Sequence, residues 1–147
     1  MTDLSFEMQV AIGIGVVGLV AVGLFFRFLY KRVPRKLNKE KYQAKWSDLQ
    51  KMLKKQDTWP EAIVAADLLL DKALRQRRYK GKKMGERIVA AQRKLSDNDG
   101  VWFAHNLAKD VIEDPESKLT EKEVKKALVG FRQALRDLGA LSNDQKK

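Results

Sequence analysis

The sequence contains no cysteine, a single histidine, His105, and only three prolines in 147 residues. Without cysteine there is no disulfide framework and no thiolate metal site, which suits a reducing compartment. One histidine is too few for a two-histidine metal motif. No segment alternates apolar and polar residues in the manner of a half-buried strand, so the expectation is an all-α chain. The length leaves room for one anchor and one modest core, and excludes two full catalytic domains.

Charge is present in excess and unevenly placed. The net charge is +11, a value that suits nucleic acid or the anionic face of a membrane. Asp3 and Glu7 are the only charges in residues 1–26. Residues 27–55 carry eleven Lys and Arg against Glu40 and Asp48, a net of +9, and the remainder is only mildly basic. The excess therefore follows directly on an apolar run. Residues 8–26, MQVAIGIGVVGLVAVGLFF, have no charge. As a helix they rise about 28 Å, the thickness of a bilayer's hydrocarbon core. Arg27 can snorkel to the headgroups, extending the span through Phe28, Leu29 and Tyr30, so the transmembrane helix is expected over 8–30 behind a short extracytoplasmic segment, 1–7.

The run reads as an uncleaved signal anchor. A cleaved signal peptide opens with basic residues and ends at small ones, whereas this one opens with Asp3 and Glu7 and ends Phe25-Phe26-Arg27-Phe28. Gly13-x-Gly15-x-x-Gly18 matches a dinucleotide fingerprint in letters only, because the preceding strand and the acidic residue about 20 positions on are missing. The glycines suit a membrane helix, with Ala11-x-x-x-Gly15 as a small-residue face. No Lys or Arg precedes the run, so the positive-inside rule places the C-terminal body in the cytoplasm, in a single-pass protein of the inner membrane. The basic linker, residues 31–41, is a topology signal first. Lys31, Arg32, Arg35, Lys36, Lys39, Lys41 and Lys45 are also the candidate contacts for anionic lipid.

Beyond the linker the periodicity is helical throughout, and a cytoplasmic up-and-down bundle of four or five helices is expected over 42–141, with 142–147 as a disordered tail. Tyr42, Trp46, Leu49 and Leu53 define a first amphipathic helix from about Asn38 to Lys55, its stripe assigned to the core rather than the membrane. Thr58-x-x-Glu61 reads as a capping box, with Pro60 in the first turn. The second helix follows to about Arg78 with Trp59, Ile63, Ala66, Leu70, Ala73 and Leu74 inward, and Gly81 as its left-handed stop. A third helix is expected over about 83–95, with Met84, Ile88, Ala91 and Leu95 on one face. A fourth spans about 99–113 and buries Val101, Ala104, Leu107, Ala108, Val111 and Ile112, with the loop and N-cap in 96–100. Thr120-x-x-Glu123 opens a fifth, carrying Val124, Ala127, Leu128, Phe131, Leu135 and Leu138, and Gly139 stops it.

Candidate chemistry is sparse. Asp67 and Asp71, four apart, would lie side by side on the second helix, but no Glu-x-x-His motif completes a dimetal site, so salt bridges are expected: Asp71 with Arg75, and Asp67 with an arginine such as Arg87. Trp102, His105 and Lys109 share one side of the fourth helix off its apolar stripe, a candidate contact surface. Arg75, Arg77, Arg78, Lys80, Lys82 and Lys83 form a second basic cluster that is a candidate partner or nucleic-acid contact. Residues 110–123 are acidic, so two faces of opposite charge are available for a homo-oligomer. No residue is assigned a catalytic role, and no metal or cofactor is expected.

Trp59-Pro60-Glu61-Ala62, Ala66-Asp67-x-x-Leu70-Asp71-x-x-Leu74, Met84-Gly85-Glu86-Arg87 and Trp102-x-Ala104-His105 together resemble a group of little-studied bacterial proteins with a HEPN-like helical domain, sometimes behind a membrane anchor. The resemblance covers about residues 59–141. In that group the fourth helix commonly reads Ala-His-x-Leu-Arg-Asn followed closely by a histidine, and catalytic HEPN domains use such an Arg and His to cleave RNA. Here Ala108 holds the arginine position, Lys109 the asparagine position and Glu113 the later histidine position. The resemblance thus implies a non-catalytic, binding or structural version. The expected function is a membrane-anchored interaction or scaffold module with an unidentified protein partner or a second copy, and the alternative is an RNA-binding, or less readily RNA-cleaving, HEPN-like domain at the membrane.

Overall fold

The structure, a computed structural model, describes residues 5–30 and 34–142. Among the described residues there are six α-helices, one short 3-10 turn and no strand. The chain divides into two units, one up to Pro34 and one from Arg35 onward.

The first unit is α1, Phe6–Tyr30, which starts two residues earlier than the apolar run. Glu7 in its first turn complements the positive end of the helix dipole. The helix buries no residue, and at about 1.5 Å per residue it is about 37 Å long. It is long and apolar enough to cross a membrane. Gly13, Gly15 and Gly18 lie within this helix, not in the strand-to-helix turn a dinucleotide site needs. Lys31, Arg32 and Val33 lie outside the described residues, as do 1–4 and most of the tail.

The second unit holds α2 (Lys39–Met52), the 3-10 turn Gln56–Thr58, α3 (Trp59–Gln76), α4 (Met84–Ala91), α5 (Asn98–Glu113) and α6 (Glu121–Asp137). Helix α2 starts where expected, at Asn38, whose side chain caps it by accepting from the Lys41 N–H at 3.0 Å, so Lys39, Glu40 and Lys41 form the first helical turn. Tyr42, Trp46 and Leu49 join the core and Leu53 packs at its edge.

Two expected end signals are corrected. Thr58 holds the N-cap position of α3 without making a capping bond: the 3-10 turn runs straight into the helix, and the Thr58 hydroxyl is directed back at the carbonyls of Met52 and Lys55. The Trp59 indole N–H likewise donates to the Leu53 carbonyl at 3.0 Å, so both side chains turn back onto carbonyls at and just after the end of α2. Nor does Gly81 stop α3. The left-handed residue is Arg78 (φ 63°), where the N–H of Arg78 bonds the Arg75 carbonyl and that of Tyr79 bonds the Leu74 carbonyl, a Schellman closure. Gly81 serves a different need, because a Cβ there would come 2.8 Å from the Arg87 backbone nitrogen. Helix α4 ends at Ala91, four residues short of expectation, although Leu95 is still buried. Ile112 is corrected from buried to exposed, at 60%.

The remaining signals stand. Asp97 accepts from the Gly100 N–H at 2.8 Å to cap α5, Thr120 and Glu123 form a complete capping box on α6, and Gly139 (φ 78°) closes α6 with the same Schellman pattern. The hub is α3, which packs against α2, α4, α5 and α6, while α5 and α6 pack along each other. Ile63, Leu70, Leu74, Ile88, Val101, Phe131, Leu135 and Leu138 are essentially free of solvent contact and form the core.

Candidate functional site

Because α3 is surrounded, its two aspartates are drawn inside: Asp67 and Asp71 are each 8% exposed. Burying a carboxylate is unfavourable unless it is paired, and each finds a partner on a different helix. Asp67 Oδ1 lies 2.9 Å from His105 Nδ1 on α5. An ionised carboxylate only accepts, so Nδ1 carries the proton and donates. Asp71 Oδ1 accepts from Arg87 Nε at 2.7 Å, and Arg87 Nη2 stands 2.6 Å from the same oxygen. Asp71 Oδ2 accepts from Arg75 Nε at 2.8 Å, as the four-residue spacing requires. Arg87 Nη1 then donates to the Gly81 carbonyl at 2.7 Å, holding the α3–α4 connection against α3.

The expected pairing of Asp67 with Arg87 is therefore corrected: Arg87 takes Asp71, and His105 takes Asp67. His105 is also corrected from contact surface to interior. Its exposure is 9%, the Trp102 ring meets it edge-on at a centroid distance of 6.0 Å, and the two rings face the side of α4 where Gly85 leaves room for them. Trp102 is half-buried and Lys109 exposed, so the three residues do not form one surface. The arrangement ties α3 to α4 and α5. Among the described residues no group of three or more His, Asp or Glu side chains is placed to hold a metal ion.

Burial pushes the Asp67 carboxyl above its ordinary range, the His105 hydrogen bond and charge only partly offsetting it and Asp71 adding to it. A carboxyl whose pKa is raised in the folded state contributes stability that is complete below the unfolded value, 3.8, and lost as pH rises through the folded value. Asp67→Asn keeps an acceptor for His105 and removes the charge. Its stability relative to the parent is expected to improve as pH rises above about 4. Urea unfolding of the full chain in micelles reads this, since Trp46, Trp59 and Trp102 all lie in the second unit. A difference between the two proteins that does not change with pH would contradict it.

The second basic cluster is dispersed. Arg75 is ion-paired, Arg77 is half-buried with Nη1 3.5 Å from the Arg35 carbonyl, and Arg78 occupies the left-handed turn. Lys80, Lys82 and Lys83 are exposed. Of the juxtamembrane set, Arg35, Lys39, Lys41 and Lys45 are exposed and Lys36 likewise, while Lys31 and Arg32 lie outside the described residues.

Two apolar side chains of the second unit that periodicity did not single out are among its most exposed, Leu68 and Val129 at 64% each. On α3, where Ala62, Ile63, Ala66, Leu69, Leu70, Ala73 and Leu74 are buried and Val64 and Ala65 half-buried, Leu68 stands out into solvent. A groove of about 350 Å³ flanks it on the α2 side, lined by Leu49, Met52, Ala65 and Leu68 with Lys45 and Lys72 among its polar residues. A second of about 350 Å³ lies on its other side, between Pro60, Glu61 and Val64 of α3 and Val111 near the end of α5. The only signal in the sequence was negative, in that Leu68 falls outside the inward stripe of α3. No family model, curated protein or solved structure matches the chain.

Proposed function

We propose that the chain is a membrane-anchored, non-catalytic interaction module. On this reading α1 crosses the cytoplasmic membrane with the N-terminus outside, and the helices that follow form an up-and-down bundle in the cytoplasm. The +9 of residues 27–55 supports the orientation and supplies the attraction of Arg35, Lys36, Lys39, Lys41 and Lys45 to anionic lipid. The observation that carries the reading is Leu68 standing exposed on α3 between two largely apolar grooves. A lone exposed leucine is ordinary, whereas one continuous with apolar groove walls on both sides offers a partner an apolar surface to cover. The use of His105 as the buried partner of Asp67 supports a packing role for the one histidine. The HEPN-like resemblance enters the same proposal as a domain that binds and does not cleave.

A second reading, RNA binding at the membrane, rests on Lys80, Lys82 and Lys83, each exposed in the α3–α4 connection. Cross-linking in cells, with the full chain carrying a C-terminal tag and purified under denaturing conditions, separates the two. Protein adducts that decline on Leu68→Glu are expected. Recovery of RNA, with protein adducts unaffected by that substitution, would favour the RNA reading. Protease added to intact cells is expected to leave the tag whole, and its digestion would reverse the orientation.

A further inference from the structure

We infer that the partner of the exposed α3 face is a second copy of this chain, docked antiparallel so that Glu61 of each copy meets Lys72 of the other and Leu68 of each packs over Ala65 of the other. This deepens the interaction-module reading and rests on it.

The face is a single stripe along the helix. Glu61, Ala65, Leu68 and Lys72 follow one another at spacings of four, three and four residues, the repeat that keeps side chains in line on an α-helix. Its neighbours Ala62, Ala66, Leu69 and Ala73 are buried and Val64 is half-buried, so Leu68 is the one large apolar side chain that α3 exposes.

The stripe is complementary to itself only when reversed. Glu61 stands at one end and Lys72 at the other, and neither has an ion-pair partner among the described residues. Parallel docking would set like charge on like, which is unfavourable. The antiparallel register that matches Glu61 with Lys72 automatically places Leu68 opposite Ala65, because both pairs are centred on the same point of the helix. A large side chain then faces a small one twice, the arrangement that lets two helices approach closely. This is the isologous contact expected of a twofold dimer.

The grooves agree with that register. The one beside the C-terminal half of the stripe is flanked by Lys45 and Lys72, and the one beside the N-terminal half by Glu61, so reversal brings basic walls to acidic ones. Asp48 also borders the first groove, but its charge is answered by Lys51 at 2.9 Å. Both grooves include Ala65 and Leu68 in their walls, which is where the incoming Leu68 arrives. Two copies held in one membrane meet at high effective concentration, so a face of this modest size suffices.

The chain has no cysteine, so introduced ones are unique. Full-length Glu61→Cys and Lys72→Cys proteins, differently tagged and expressed together, are treated in native membranes with a short bismaleimide. The mixed adduct is expected and the Glu61→Cys self-adduct is not, since in this register those two positions lie about 16 Å apart along the helices. In micelles, sedimentation equilibrium of the full chain is expected to show a dimer that Leu68→Glu weakens by about 100-fold or more. Glu61→Lys or Lys72→Glu alone weakens it by about tenfold, and the two together restore it. Restoration excludes a simple loss of helix stability. A monomer under all conditions, equal yields of mixed and self-adducts, or a dimer indifferent to all three substitutions, as pairing through α1 would give, overturns the inference. Leu68-dependent adducts to another protein without self-adducts overturn the second copy as partner and leave the module reading in place, whereas recovery of RNA alone overturns the module reading itself.

Discussion

Arg87→Ala is expected to cost the folded second unit about 3 kcal/mol, seen as a lower urea midpoint of tryptophan fluorescence in the full chain. The guanidinium is 4% exposed and makes three short contacts, two with Asp71 and one with the Gly81 carbonyl. Truncating it leaves a carboxylate only 12% exposed with Arg75 as its remaining partner, and the Arg75 side chain is 64% exposed, where water weakens the attraction. A buried charge stripped of its better partner accounts for most of the loss, and the freed carbonyl of Gly81 for the rest.

Removing both charges together is expected to recover most of the stability, because two apolar side chains of similar volume do not have to be paired. Asp71→Leu with Arg87→Met is expected to fall within about 1 kcal/mol of the parent, although each single change is clearly destabilising. Additive single and double effects would show that Arg87 acts through its contacts with the α3–α4 connection and not through Asp71.

How far the sequence carried these conclusions differs from residue to residue. Periodicity identified which face of each helix is apolar, and the Thr120 capping box and the Gly139 stop were legible because each is a local contest between a side chain and a few backbone groups. Thr58 misled for the same reason reversed: the motif was intact, but the end of α2, six residues back and folded against it, offered its hydroxyl different partners. The buried ion pairs were legible in kind and not in pairing. Asp67 had to be neutralised by something, yet the choice of His105 over Arg87 depends on how α4 and α5 are placed around α3, and no spacing within one helix encodes that. His105 follows Ala104, at the margin of the α5 stripe, and is interior because its partner Asp67 lies on the buried face of α3, with Gly85 beside the Trp102 and His105 rings. Leu68 was visible only as a leucine missing from a stripe.

Gly130→Ala is expected to destabilise the second unit by about 2–3 kcal/mol, against the direction of helix propensity. Alanine in place of glycine within an exposed stretch of helix stabilises by about 1 kcal/mol. At Gly130 the sign reverses, because α6 crosses α5 there with glycine on both sides: a Cβ on Gly130 would overlap the Gly100 carbonyl and lie 2.6 Å from its carbon. The obstruction is backbone at the capped start of α5, where Gly100 is held by its N–H bond to Asp97, so it cannot swing aside as a flexible side chain would. Relief requires α5 and α6 to separate around Val101, Ala104, Ala127 and Phe131, all at or near full burial, and the dispersion attraction given up between the two helices exceeds the gain in propensity. Gly85→Ala is the control, since its Cβ would stand 3.3 Å from the half-buried Trp102 ring, which has room to give. It is expected within about 1 kcal/mol of the parent. Equal effects at the two positions would mean that the close crossing of α5 and α6 is not what Gly130 provides.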